Sequence, residues 1–202
     1  MSDALSASGQ LVPGTSGGRE DATILIRDVS FGAALEIGSW PNRLETVAKR
    51  LGELCEGAVP GRPGRFSAHA PALLGWLAFG RFLWLSAEVE DARRLAEAFP
   101  EEEAAVVDLA PARHLLRISG ADAPALLNKA VTIDFDPKAF DPGSLAQSVI
   151  HQVPVVILRR SVEDFDLLVP SSLTATFTEW LTDAAEEFGY TVGEPAPILA
   201  QG

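Results

Sequence analysis

The sequence has few of the residues on which metal, redox and nucleic-acid chemistry depend. Its 202 residues include one cysteine and three histidines, and 16 Lys and Arg stand against 28 Asp and Glu. A single cysteine excludes an internal disulfide and any CxxC motif, and Cys55 falls on the apolar side of a predicted helix, as an inert core thiol would. The net charge of −12 argues against a nucleic-acid partner, which would need clustered Lys and Arg. A protein partner with a basic face remains compatible with it.

Long apolar runs and nucleotide-binding motifs are also missing. No run of about 20 apolar residues occurs, and the first 21 residues lack the basic and apolar regions of a secretory signal. We therefore expect no membrane association and a cytoplasmic location. Neither GxGxxG nor GxxxxGK[ST] is present, so we expect no flavin or dinucleotide site in this chain alone. The hydrophobic content of 47% is ordinary for a globular protein with a core.

Turn-forming residues and apolar periodicity divide the chain into three parts. Residues 1–21 favour turns and offer nothing to bury, which predicts a flexible tail, with wrapping of a partner as the alternative. Residues 22–103 and 104–202 are predicted to form a first and a second half of one compact two-part unit. Proline and glycine make residues 57–71 a predicted surface loop.

Each half is predicted to contain strands followed by amphipathic helices. The predicted strands are residues 22–26, 33–37, 106–118, 145–151, 153–160 and 165–169, with a hairpin in GWLAFGRFLWL (75–85). Apolar residues at helical spacing predict helices over 44–55, 92–99 and 122–130, and a last helix from Ser171 or Ser172 to Gly189. This order predicts the α+β class, with two split β-α-β (ferredoxin-like) halves whose antiparallel sheets are packed by helices.

A predicted strand runs directly into a capped helix between Asp108 and Leu127. Alternation within that strand points His114, Leu116 and Ile118 towards a core, and Arg113 and Arg117 away from it. The helix that follows is predicted to be capped by Asp122, with Pro124 in its first turn.

Four arginines are the predicted partner-contact residues of this chain. Arg113 and Arg117 share the outward strand face, and Arg159 and Arg160 end another strand. Together they would form an electropositive patch that binds acidic side chains of a partner or a carboxylated ligand. The alternative is a solvated sheet face with local ion pairs to acidic neighbours such as Glu163 or Asp164. Arg62 and Arg65 in the predicted loop have the same two interpretations.

No combination of residues predicts a catalytic or metal centre. The three histidines, His69, His114 and His151, lie far apart in the sequence, whereas a metal site needs several ligands brought together. For His114 and His151 we expect histidines satisfied by neighbouring backbone rather than bases or ligands. The acidic pairs Asp134/Asp136 and Asp164/Asp166 are interpreted as turn residues flanking strands.

Four stretches of the second half resemble the gamma subunit of heterotetrameric sarcosine oxidase, a small relative of the folate-binding glycine-cleavage T-protein fold. They are DLAPARHLLRISGADAPALL (108–127), FDPGSLAQSVIHQVPVVILRR (140–160), FDLLVPSSL (165–173) and WLTDAAEEFGY (180–190). In that family, four different subunits form an enzyme that oxidises sarcosine to glycine. The enzyme uses FAD, FMN, NAD and zinc, and it passes the methyl-derived carbon to tetrahydrofolate.

The resemblance implies a non-catalytic structural subunit whose partners are the alpha, beta and delta subunits. The products would be glycine, hydrogen peroxide and either formaldehyde or 5,10-methylenetetrahydrofolate, and this chain would itself bind no cofactor. Two alternatives stand: an oxidase acting on another N-methylated amino acid, and a free-standing folate-binding module. The four tryptophans and ten phenylalanines are either interface anchors or members of a shared core.

Overall fold

The computed structural model describes residue 5 and residues 10–57, 59–69 and 71–200. These residues form two compact units, which do not follow each other along the chain. One unit combines Met1–Val29 with Ala112–Ala196 and is called the split unit. The other contains Ser30–Pro111 with Pro197–Gln201 and is called the inserted unit.

The split unit contains a mixed sheet in which parallel and antiparallel pairs of strands both occur. Its strand order is β1 (Ser16–Gly17), β12 (Tyr190–Val192), β2 (Ile24–Ser30), β8 (Arg113–Ser119), β11 (Asp164–Pro170), β10 (Val153–Arg159) and β9 (Leu145–Ile150). Strand β12 pairs with β2 in parallel, and a two-residue strand β13 (Ala196–Pro197) also pairs with β2.

Two helices of the split unit, α3 (Ala123–Asn128) and α4 (Thr174–Ala185), supply apolar residues to its core. Leu126 and Leu127 of α3, with Phe177 and Leu181 of α4, pack with strand residues such as Ile118. The strand, turn and helix predicted between Asp108 and Leu127 therefore exist, although α3 spans only six residues.

The inserted unit contains an antiparallel five-stranded sheet. Its strand order is β4 (Arg65–His69), β5 (Ala72–Ala78), β6 (Arg81–Ser86), β3 (Ala33–Ser39) and β7 (Ala104–Asp108). Two helices, α1 (Leu44–Leu54) and α2 (Asp91–Ala98), place Val47, Leu51 and Leu95 in a core that also holds Trp84 and Phe82. The predicted α+β class with antiparallel sheets and amphipathic helices is confirmed.

The structure divides the chain differently from the sequence-based boundary at residue 103. The predicted strand 106–118 is two strands, β7 and β8, separated by a turn of 3₁₀ helix at Ala110–Ala112. Strand β7 pairs with β3 in the inserted unit, and β8 pairs with β11 in the split unit. Residues 24–29 join the later part of the chain because β2 pairs with β8 and β12.

Two segments predicted to be irregular are partly ordered. Leu11 of the predicted tail is 7% exposed, and Gly14 N–H donates to the Val192 carbonyl at 2.8 Å. Within the predicted loop 57–71, residues 65–69 form β4 because they pair with β5. Residues 1–4 and 6–9 of the tail lie outside the described residues. No helix in the described part of the chain is long and apolar enough to cross a membrane.

Candidate partner-binding residues

Arg117 lies in a buried ion cluster rather than on a surface. Its side chain is 1% exposed, and Nε donates to Asp166 Oδ1 at 2.6 Å while Nη2 donates to Oδ2 at 3.1 Å. The contact follows from the sheet register, because Asp166 stands directly opposite Arg117 on the neighbouring strand. Arg160, with an 11% exposed side chain, donates through Nη1 to Asp166 Oδ2 at 3.1 Å. The outward orientation predicted for Arg117 is wrong.

Arg159 is also buried, and its guanidinium group is held by main-chain carbonyls. Nη1 donates to Phe135 O at 2.7 Å and to Phe140 O at 2.5 Å, Nη2 donates to Val162 O at 2.5 Å, and Nε donates to Ser161 O at 3.0 Å. Burial lowers the pKa of Arg159 from its ordinary value, although nearby Asp136 and Asp141 oppose that shift. Arg159 therefore joins two loops from within the fold.

Only Arg113 and Arg160 of the four predicted contact residues retain solvent exposure. Arg113 is partly exposed and donates through Nη1 to the Ala112 carbonyl at 3.1 Å. The predicted electropositive patch of four arginines does not form, because Arg117 and Arg159 are buried and make their hydrogen bonds inside the fold. Alternation showed which residues share a strand face, but it could not show whether that face is covered.

The histidines lie in three separate settings. His114 is partly buried and lies 2.7 Å from Asp28 Oδ1 through Nε2, so its partner is a carboxylate rather than the expected backbone. His151 is exposed in the turn between β9 and β10, where its φ is +45° and that of Gln152 is +66°. His69 is exposed at the end of β4. Among the described residues, no group of three or more His, Cys, Asp or Glu side chains is placed to hold a metal ion.

The acidic pairs divide between turns and the core. Asp134 and Asp136 accept main-chain N–H bonds from residues two positions later, at 2.9 and 2.8 Å, as the turn interpretation predicts. Asp164 accepts a hydrogen bond from the Ser161 hydroxyl at the end of the β10–β11 connection. Asp166 departs from the prediction, because it is fully buried and neutralises arginine.

Aromatic side chains are mostly absorbed by the cores, with two exceptions in the inserted unit. Of the four tryptophans and ten phenylalanines, only Trp40 (46% exposed) and Phe79 (69% exposed) are strongly exposed. The shared-core interpretation therefore holds for most aromatic residues. Trp40 was missed by sequence reasoning, although it stands immediately before Pro41, outside the apolar stripe of the helix that follows.

A surface groove lies beside Trp40. It encloses about 460 Å³ and is lined by residues of α2, of β7 and of the segment between them, including Ala96, Phe99, Glu101 and Val106. Trp40 Nε1 donates to the Glu101 carbonyl at 2.7 Å, which fixes the indole at the groove. A second groove, of about 510 Å³, lies along α4 in the split unit and is lined mainly by polar residues.

Comparison with known proteins gives one consistent family. The model of the sarcosine oxidase gamma subunit family matches residues 65–187. The sarcosine oxidase subunit gamma of Corynebacterium sp. (strain P-1) is 28% identical over 176 residues, which cover 85% of this chain and 84% of that protein. The subunit of the same name from Arthrobacter sp. is 26% identical over 174 residues, with the same two coverages.

Solved structures support the fold. A chain of the heterotetrameric sarcosine oxidase from Corynebacterium sp. U-96 superposes with a TM-score of 0.75 at 23% identity, covering 85% of this chain and 88% of that one. The glycine cleavage system aminomethyltransferase T from Bartonella henselae superposes with a TM-score of 0.60 at 16% identity, covering 85% of this chain and 48% of that one. The T-protein-like fold is confirmed.

Proposed function

The chain belongs to the sarcosine oxidase gamma subunit family, and we propose that it is the non-catalytic assembly subunit of a heterotetrameric oxidase. The observation that carries the proposal is the extent of the family match, because residues 65–187 include parts of both units. Chains of similar length in Corynebacterium and Arthrobacter bear the gamma subunit name, and this chain covers 84% of each.

The use of its charged groups supports a structural role. Arg117 and Arg160 both pair with Asp166, and Arg159 donates to main-chain carbonyls. His114 is engaged by Asp28. A catalytic acid or base must reach a reacting atom, whereas these groups are already committed to the fold.

The reaction proposed for the complex is oxidative demethylation of sarcosine to glycine. Its other products would be hydrogen peroxide and either formaldehyde or 5,10-methylenetetrahydrofolate. FAD, FMN, NAD, zinc and tetrahydrofolate would be bound by the alpha, beta and delta subunits, and the assembly would be cytoplasmic. The gamma chain would contribute surfaces that hold these subunits together.

Co-expression of the four subunits tests the assembly role. With an affinity tag on this chain, we expect one species in size-exclusion chromatography that contains all four subunits in equal amounts and absorbs as a flavoprotein. The isolated chain should show no flavin absorbance. If the chain elutes alone while the other three subunits form the complete oxidase, the assembly role is wrong.

Two further measurements separate the alternatives. Peroxide formation by the purified complex with sarcosine, dimethylglycine and N-methylproline identifies the N-methylated substrate. Calorimetric titration of the isolated chain with tetrahydrofolate tests the folate-module alternative. We expect no heat of binding with the isolated chain, and saturable binding there would favour the folate-module alternative.

A further inference from the structure

Strand β7 is the last strand of the inserted unit's sheet and has β3 as its one neighbour there among the described residues. Leu109 N–H donates to Ala34 O at 2.7 Å, and Trp40 N–H donates to Glu103 O at 3.1 Å. Hydrogen-bonded pairs alternate along an antiparallel ladder, so Ala105 and Val107 also direct their main-chain groups towards β3. Val106 and Asp108 therefore direct their N–H and C=O groups away from the sheet.

These outward groups form a short, open sheet edge. Natural proteins usually protect such an edge, because it offers hydrogen bonds to any extended chain. Val107 beside it is 51% exposed, and Val106 lines the 460 Å³ groove. An added strand would therefore find main-chain partners and an apolar groove at the same place.

The two strongly exposed aromatic side chains stand at the same end of this sheet. Ser39 N–H donates to the Gly80 carbonyl at 2.7 Å, which places the Phe79–Gly80 turn next to the Ser39–Trp40 segment. Gly80 has φ +71°, so its backbone conformation suits glycine in this tight turn. Large exposed aromatic residues are frequent anchors of binding energy at interfaces. We call Trp40, Phe79, Glu101, Val106 and Val107 together the β7 surface.

The charge around the β7 surface favours a basic occupant. Glu101 and Glu102 are exposed just before β7, and neither has an ion pair in the part of the chain that the structure describes. Asp108 at the other end is also exposed, and its carboxylate accepts the Ala110 N–H at 2.9 Å. A second copy of this chain, with its net charge of −12, would bring more negative charge to this surface.

We propose that the β7 surface binds an extended, basic segment of another subunit, which adds to β7 as a further strand. The segment would pair with the main-chain groups of Val106 and Asp108. Its apolar side chains would enter the groove beside Trp40, and its Lys or Arg side chains would face Glu101 and Glu102. This inference rests on the proposed assembly role and names the surface through which that role is performed.

Proline substitution at the two sheet edges tests the strand addition. Val106→Pro removes an outward N–H without removing a bond to β3. Val149→Pro is the matched control on β9: Arg159 N–H donates to Ser144 O, so by the same alternation Val149 also directs its main-chain groups outwards. Both variants are introduced into the tagged four-subunit complex, and the thermal midpoint of each isolated variant shows whether it folds.

We expect Val106→Pro to weaken recovery of the other subunits about tenfold or more, and Val149→Pro to leave it unchanged. Hydrogen exchange provides a measurement without a variant: the amides of Val106 and Asp108 should exchange more slowly in the complex than in the isolated chain. Glu101→Lys with Glu102→Lys should also weaken recovery, whereas Glu88→Lys at another exposed position should not.

The outcomes separate this inference from the assembly role. If the wild-type chain recovers no other subunit, the assembly role itself is wrong. If the wild-type chain assembles without added protection of its Val106 amide, and Val106→Pro assembles equally well, the β7 inference is overturned. A wild-type chain that forms a dimer in isolation, and a Val106→Pro variant that is monomeric, would identify a second copy as the occupant and also overturn it.

Discussion

Arg117 and Asp166 form a buried two-bond ion pair across β8 and β11, with Nε–Oδ1 and Nη2–Oδ2 distances of 2.6 and 3.1 Å. Both side chains are at most 1% exposed, so solvent screens the pair little. Arg160 contacts the same carboxylate, and Asp166 therefore faces two cations. Removing this one carboxylate would leave positive charge in the interior without its counter-ion.

Asp166→Asn should therefore be strongly destabilising. Breaking a buried ion pair from one side typically costs about 3–5 kcal/mol, because the remaining charge loses its compensation. Urea unfolding of the isolated chain, followed by circular dichroism, measures the change. Asp183→Asn on the exposed face of α4 is the control and should change the free energy of unfolding by less than about 0.5 kcal/mol. Equal effects of the two substitutions would contradict the proposed importance of the pair.

The sequence predicts elements of this fold better than it predicts their partners. Apolar spacing from Leu44 to Cys55 predicts α1 within one residue, because helix spacing is a local property. The pairing of β2 with β12 joins residues more than 160 positions apart and leaves no local signal. A single boundary at residue 103 does not describe this arrangement, since the strands of one unit come from both ends of the chain.

The predicted contact residues also show that local sequence patterns do not reveal which strands pair. Alternation in RHLLRIS correctly predicts a strand with Leu116 and Ile118 in the core. However, Leu115 and Arg117 on the opposite face are also buried. An arginine with a buried carboxylate opposite it and an arginine on a solvated face have the same local sequence pattern. Asp166 lies 49 residues away, and only the register of the sheet reveals it as the partner.

Arg159→Lys should destabilise the split unit although the positive charge is retained. Lysine presents three donors on one atom and cannot reproduce the planar arrangement that reaches four separate carbonyls. We expect a loss of about 2 kcal/mol in the free energy of unfolding, as carbonyls lose their donors. Hydrogen exchange at Gly143, whose N–H donates to Arg159 O, should become faster.

Arg62→Lys, at an exposed position of the inserted unit, is the matched control for this substitution. It should leave both the urea midpoint and the Gly143 exchange rate unchanged. An Arg159→Lys variant with wild-type stability would show that charge alone, rather than the guanidinium geometry, is needed at this position.

Cys55 should react slowly with thiol reagents in the native protein. Cys55 is 3% exposed, and burial raises the pKa of its thiol. The unfolded chain therefore loses this proton first as pH rises past roughly 8.5, the ordinary thiol value. The contribution of the protonated Cys55 thiol to the free energy of unfolding is therefore complete below that pH. It is lost as the pH rises towards the pKa of the thiol in the folded protein. The difference in free energy of unfolding between wild type and Cys55→Ala should shrink over this range.

Two measurements test whether the Cys55 thiol is buried in the native protein. Urea unfolding of wild type and Cys55→Ala at several pH values gives the difference in their free energies of unfolding. The contributions of ionisable groups that both proteins share cancel in this difference. Alkylation followed by mass spectrometry gives the rate, with the chain in denaturing urea as the reference for a reactive thiol. A native alkylation rate equal to the denatured one, or a stability difference independent of pH, would contradict the buried placement.

Gly120 connects β8 to the turn before α3, and its replacement should be among the most damaging single changes in the chain. Its φ is +120°, and a Cβ there would lie 1.9 Å from the carbonyl oxygen of Thr23. Because the obstructing atom belongs to the backbone of Thr23, the residue immediately before β2, Gly120→Ala must displace either this segment or the turn. We expect a loss of more than about 2 kcal/mol, measured by urea unfolding.

Gly61→Ala is the control for Gly120→Ala, because a Cβ at Gly61 meets no atom within 4 Å. It should leave stability within about 0.5 kcal/mol of wild type. If Gly120→Ala does not fold, Thr23→Ala provides a milder test of the same junction. The Thr23 hydroxyl donates to Asp122 Oδ2 at 2.7 Å and lies 3.0 Å from the Phe188 carbonyl, so its loss should cost about 1 kcal/mol. Wild-type stability in both Gly120→Ala and Thr23→Ala would mean that the close approach of β2 to this turn is not needed for the fold.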